Sequence, residues 1–226
     1  MAKIKFGMMM TDARGKLGGQ VFSKNRGGAY IRTKVTPSNP RSTFQQAIRS
    51  LLSTFSQQWS ALTAAQRATW NGAVANWSKT DIFGDIKNPT GKNLFVRLNN
   101  KAVNAGYTPM TDAPEKAETP LNDCTGVLVD ISSATISLVG LTGIAGARVI
   151  VSATPQLTAG TSNAKNKFRQ IYSAVSNAVV DADLYSAYVA RFGAPVVGAN
   201  IQFAVELVLP NGQSSVPASY TATVQA

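Results

Sequence analysis

Histidine is missing from all 226 residues. A Ser-His-Asp or Cys-His pair, a histidine general base and any zinc site that needs an imidazole are therefore excluded. Cysteine is almost as scarce: Cys124 alone cannot form an intramolecular disulfide, which fits a reducing cytosol or assembly inside a bacterium. Acids are half as frequent as bases, 11 Asp and Glu against 22 Lys and Arg, and they are scattered. The pairs Asp81/Asp85 and Asp181/Asp183 read as a solvated loop and a helix N-terminus rather than as catalytic carboxylates. The expectation is no enzyme, no catalytic residue, no metal ligand, no cofactor and no small-molecule substrate. No stretch approaches the ~20 apolar residues of a membrane helix. Met8, Met9 and Met10 sit beside Gly and Asp with no apolar run behind them, so neither a signal peptide nor a membrane anchor is expected.

What is present is positive charge at one end. Residues 1–50 hold ten Lys or Arg against Asp12 alone, which places +9 of the net +11 in less than a quarter of the chain. Residues 51–118 carry seven bases and five acids, and residues 119–226 five of each. The first zone also carries glycines between Gly7 and Gly28 and is a poor candidate for a core of its own. It reads as a basic arm, residues 1–41, with strand-like stretches at Gln20–Ser23 and Ala29–Val35 around a turn at Lys24–Gly28. Gly15-Lys16-Leu17-Gly18-Gly19 lacks the spacing and the Gly-Lys-Ser/Thr ending of a phosphate loop.

Pro37 and Pro40 end any regular element, and the period then changes. Phe44, Ala47, Ile48, Leu51, Leu52, Phe55 and Trp59 fall three and four apart, predicting a helix over about 43–60 with a capping box from Ser42 and Gln45. Thr63 and Gln66 predict a second box and a helix through Trp70, Val74 and Trp77. All three tryptophans lie on this pair and read as its core rather than as a base-stacking platform. Thr90 can cap a third helix that Gly106 would stop. Residues 42–107 are thus expected as a small three-helix domain, and Pro-rich 108–120 as a linker.

From residue 121 the period is two. Candidate strands are Gly126–Ile131, Thr135–Leu141, Ala147–Ala153, Phe168–Ser173, Ile201–Leu209 and Tyr220–Val224, with a hairpin turn at Pro210-Asn211-Gly212. Leu184–Phe192 departs from that pattern and reads as a short capped helix. The fold class expected is α+β and multidomain: an extended basic arm, a three-helix domain and, over 121–226, an all-β immunoglobulin-like or fibronectin-III-like sandwich. Gln202–Leu207 followed by Gly212–Ser215 resembles the last hairpin of fibronectin-III modules.

Gly15–Gly19, Arg26–Arg32, Pro37–Ser42 with Gln45–Arg49, Trp59–Thr63 and Gly91–Phe95 together resemble uncharacterised virion structural proteins of tailed bacteriophages, the short-tailed, crAss-like group among them. The similarity covers about residues 14–110, more loosely the β region. It implies a non-enzymatic component of the virion, present in many copies or as a homo-oligomer, with capsid or portal/neck proteins as partners. Attachment to the capsid shell as an auxiliary or decoration protein is favoured over a portal or neck (head-tail connector) position. Arg14, Lys16, Lys24, Arg26, Arg32, Lys34 and Arg41 are the residues expected to meet an acidic partner, with Phe22 and Tyr30 as apolar anchors. The competing expectation is nucleic-acid binding through the same cations. No reading helix, zinc motif or RNA-recognition motif accompanies them.

Overall fold

The computed structural model describes residues 2–8, 11–25, 27–39, 41–141, 144–158, 160–161, 164–176 and 181–226. They form an α+β chain with four α-helices, and its C-terminal region is mostly sheet. At the N-terminus, β1 (Ala2–Lys3), β2 (Gly15–Leu17), β3 (Gln20–Asn25) and β4 (Gly28–Thr33) pair antiparallel in the order β1-β4-β3-β2. The expected strand pair is therefore the centre of a four-stranded sheet rather than an extended arm. Two- and three-residue flanking strands are too short to leave a period in the sequence. No described residue between 2 and 39 is buried, so this sheet has no core.

Residues 34–39 are exposed and irregular, and α1 (Thr43–Ala61) begins behind them. Ser42 caps it by accepting from the Gln45 amide at 3.3 Å. The return bond of the expected capping box is not made, and Gln45 Oε1 is buried without a hydrogen bond. The second box is complete: Gln66 N donates to Thr63 Oγ1 (3.2 Å) and Thr63 N to Gln66 Oε1 (3.0 Å), opening α2 (Ala64–Ala73). A 3-10 turn at Val74–Trp77 follows, then the two-residue strands β5 (Lys79–Thr80) and β6 (Ile86–Lys87). Thr90 caps α3 (Gly91–Ala105), and Gly106 ends it at φ 95°, a left-handed position that glycine takes without strain.

Helices α1, α2 and α3 share one apolar cluster centred on Phe95. Phe55 and Trp70 meet its ring edge-on at 6.2 and 5.2 Å, and Trp59 leans on it at 5.6 Å. Trp70 and Trp77 are buried and Trp59 half-buried, which accounts for the tryptophans as core. The segment 108–120 is tied down at both ends. Fully buried Asn99 brackets Met110, accepting from its amide (2.6 Å) and donating to its carbonyl (3.2 Å). Trp70 Nε1 donates to Thr111 O (2.8 Å), and the Gln213 amide group bonds both the N–H and C=O of Ala117.

The C-terminal region contains β7 (Gly126–Asp130), β8 (Thr135–Val139), β9 (Arg148–Ala153), β10 (Arg169–Val175), α4 (Asp181–Phe192), β11 (Asn200–Val208) and β12 (Ala218–Gln225). The strands form a single sheet in the order β10-β9-β11-β12-β7-β8, antiparallel throughout except for β12 beside β7. Alternation puts Ile201, Phe203, Val205 and Leu207 of β11 wholly inside. Leu184 and Tyr188 of α4 close the same core. The helix stands where period two fails, and Asp181 and Asp183 lie in its first turn.

The helical and sheet regions meet along α3. Ala105, Ile150 and Val208 form a small buried cluster against Tyr107, whose hydroxyl reaches the carbonyls of Gly146 (2.6 Å) and Val208 (3.1 Å). Arg148 Nη1 donates to Gly106 O at 2.9 Å, and Lys101 pairs with Glu206 at 2.5 Å. Gly212, in the β11–β12 turn, packs so closely that a Cβ there would lie 2.5 Å from Leu98 O.

Candidate functional site

Two cation-rich places stand out. The first is the N-terminal sheet. Its register sets Lys16 opposite Val21 and Val21 opposite Arg32, with Ser23 opposite Tyr30 and Tyr30 opposite Lys3. Because pleating alternates faces, Lys3, Lys16, Tyr30 and Arg32 share one face. Phe22 pairs with Ile31, so Phe22, Ile31, Leu17 and Lys24 occupy the other. The two aromatics expected as joint anchors thus point opposite ways. One face is cationic with a phenol, and the other is mainly apolar, with Leu17 71% exposed.

The remaining expected contacts are spread along the segment. Arg14 is engaged by Asp12 at 3.3 Å. Lys16, Lys24, Arg32, Lys34 and Arg41 are exposed and make no ion pair among the described residues. Arg41 precedes the α1 cap at φ 50°. Arg26 lies outside the described residues.

The sheet is attached to the body by acids read from sequence as loop solvation. Lys3 Nζ meets Asp81 at 3.0 Å and Lys5 Nζ meets Asp85 at 3.2 Å, with the Lys5 ammonium 5.2 Å from the centre of the Phe83 ring. Asp81 also closes its own turn by accepting from the amides of Phe83 (2.8 Å) and Asp85 (3.2 Å). The hydrogen bond from Lys3 first, and then those amides, hold its carboxyl below the usual carboxylate range.

The second place was not visible in the sequence. A cleft of about 540 Å3 opens between α1, α3, the 108–120 segment and the β11–β12 turn. Its lining holds Lys79, Arg97, Lys101 and Lys116 and no carboxylate. Lys101 is taken by Glu206 outside the lining, whereas Lys79, Arg97 and Lys116 make no ion pair among the described residues. Arg97 lies 5.6 Å over Trp77, and its burial pushes the guanidinium below its ordinary value. The i, i+4 spacing of Arg97 and Lys101 on α3 was the available clue, but Lys79 and Lys116 arrive from distant parts of the chain.

Among the described residues no three His, Cys, Asp or Glu side chains are grouped to hold a metal. Cys124 is buried, and that burial raises its thiol pKa, away from the reactive thiolate. No helix among the described residues is long and apolar enough to cross a membrane. Comparison with protein-family models, curated proteins and solved structures finds no match for this chain.

Proposed function

We propose that the chain is a non-enzymatic structural protein of a tailed-phage virion, in which the N-terminal sheet docks onto an acidic protein surface. The observation that carries this reading is a folded element with exposed cations, a mainly apolar opposite face and no buried residue among those described. Ordering such a sheet is favourable when another surface covers it, through charge and main-chain pairing at the β2 edge. Shell attachment as an auxiliary or decoration protein is the favoured position, with a portal or neck ring as the alternative, and several copies per particle follow from either.

Under the same reading, α1–α3 form a three-helix mount and the C-terminal region is an immunoglobulin-like unit. The row β10-β9-β11-β12 has the order of a C′-C-F-G sheet. Strand β7 lies parallel to β12 and antiparallel to β8, and α4 packs beside β8 in place of a strand.

The test is protease accessibility. The isolated chain should be cut readily within residues 2–39, and the same residues should be protected in assembled particles. Protection already complete in the isolated chain would overturn the docking role. Nucleic-acid binding by the same cations is the second reading, motivated by their density. It requires affinity for single-stranded DNA that falls linearly in log[salt], whereas a mixed apolar and main-chain protein interface retains most of its affinity.

A further inference from the structure

The apolar stripe of α1 is longer than the surface that covers it. Phe44, Ile48, Leu51, Leu52, Phe55 and Trp59 lie on one helical face, and α3 buries that face at Phe55, which is 2% exposed. Over the three turns nearer the N-terminus the face has exposed apolar side chains: Phe44 is 49% and Leu52 50% exposed. Ile48 stands between these two and also lines the cationic cleft. This stripe and the cleft are therefore one continuous surface, apolar along α1 and positive beneath it.

We propose that this surface docks an acidic, amphipathic peptide segment of a partner protein. Its carboxylates enter the cleft toward Lys79, Arg97 and Lys116, while its apolar side chains cover Phe44, Ile48 and Leu52. The charge argument is specific. Arg97 is half-buried and has no carboxylate among the described residues, and an incoming carboxylate supplies the charge-assisted hydrogen bonds that its desolvation withholds. Lys79 and Lys116 stand exposed at the same cleft. Complementary charge of this kind sets register and suppresses wrong partners, and the apolar stripe supplies the buried area.

A phosphate-bearing partner fits less well. Trp77, the aromatic in the cleft lining, is buried, which leaves no exposed ring beside the cleft cations for a base to stack on, and an inorganic anion has no use for the stripe. The inference is independent of the N-terminal sheet, whose cations lie on other elements.

The experiment uses the full chain and a fluorescein-labelled synthetic peptide, glutamate-rich with leucines at i, i+4, i+7 and i+11, followed by fluorescence polarisation. Saturable binding is expected, weakened about ten-fold or more by Lys79→Gln with Lys116→Gln together, and similarly by Ile48→Asp. Replacing the leucines of the peptide by serine should cost as much. Lys16→Gln with Arg32→Gln should leave the affinity unchanged, which separates this surface from the N-terminal sheet. The two exposed lysines decide the matter if Ile48→Asp fails to fold. Absence of saturable binding overturns the proposal. So does affinity indifferent to the lysine pair, or full competition by pyrophosphate or oligo-dT, which would make the cleft a phosphate site.

Discussion

Asn99 is the side chain on which the order of the 108–120 segment depends, and Asn99→Leu tests that directly. Leucine shares the branched heavy-atom skeleton of asparagine and is bulkier, so the change removes polar contacts without opening a cavity, and any overpacking adds to the cost. Two groups lose their partner, the Met110 N–H and C=O, while Phe95 O retains its helical bond. At about 1–3 kcal/mol for each orphaned group, and with Met110 half-buried, the cost falls near the lower end, about 2–3 kcal/mol in all. For a chain of this size, about 2–4 °C per kcal/mol gives a drop in Tm of roughly 5–10 °C. Calorimetry measures the drop, and trypsin reports its location, because Lys116 is the single tryptic site between 108 and 120. Cleavage after Lys116 should accelerate before global unfolding. Trp70→Phe removes the adjacent bond to Thr111 O, so the double variant should lose less than the sum of the singles. A loss below about 0.5 kcal/mol, with Lys116 as protected as before, would refute the idea that this segment is a strap.

Deleting residues 2–39 removes no buried side chain among the described residues, so the remaining chain should keep its Tm within about 3 °C in calorimetry; a larger fall would show that the sheet is part of the fold. Asp81→Asn should free β1, read as faster hydrogen exchange at the Ile4 amide, which donates to Ala29 O. Because the folded pKa of Asp81 is depressed, the tie to Lys3 is present above about pH 4 and is lost as pH falls through the depressed value. Tyr188 is pushed up to about 12 by burial, so stability is lost as pH rises from about 10 toward 12. Tyr188→Phe should move the alkaline unfolding midpoint upward, and an unchanged midpoint would exclude this phenol as its source. Gly212→Ala, at φ 76° and facing Leu98 O, should cost about 2 kcal/mol or more in urea unfolding.

The strands of the C-terminal region and the helix that interrupts them were legible because each carries its own period over five or more residues. Thr63, Thr90 and Gly106 announced helix ends through local chemistry alone. The N-terminal sheet was half legible. Its hairpin showed in Gln20–Ser23 and Ala29–Val35, but β1 and β2 are defined by pairing, and pairing register decides which side chains share a face. Phe22 and Tyr30 look equivalent as aromatics and are separated by that register. The strap was illegible for another reason: its prolines and mixed charge describe a linker, while Asn99 and Gln213, which hold it, lie elsewhere in the chain.

The cleft shows most plainly where summing charge over a stretch of sequence misleads. Residues 51–118 look nearly neutral, with seven bases against five acids. Folding sorts them. Asp81 and Asp85 turn toward the N-terminal lysines, while Lys79, two residues from Asp81, turns to the cleft with Arg97, Lys101 and Lys116. A β-hairpin makes that division, because β5 carries Lys79 into one wall and its turn carries the acids away. The same short element thus ties down the N-terminal sheet and helps charge the cleft. Asp81→Asn therefore has a second use: it should loosen the sheet without altering peptide affinity at the cleft. Loss of both would mean that the hairpin couples the two surfaces, so that docking at one controls the order of the other.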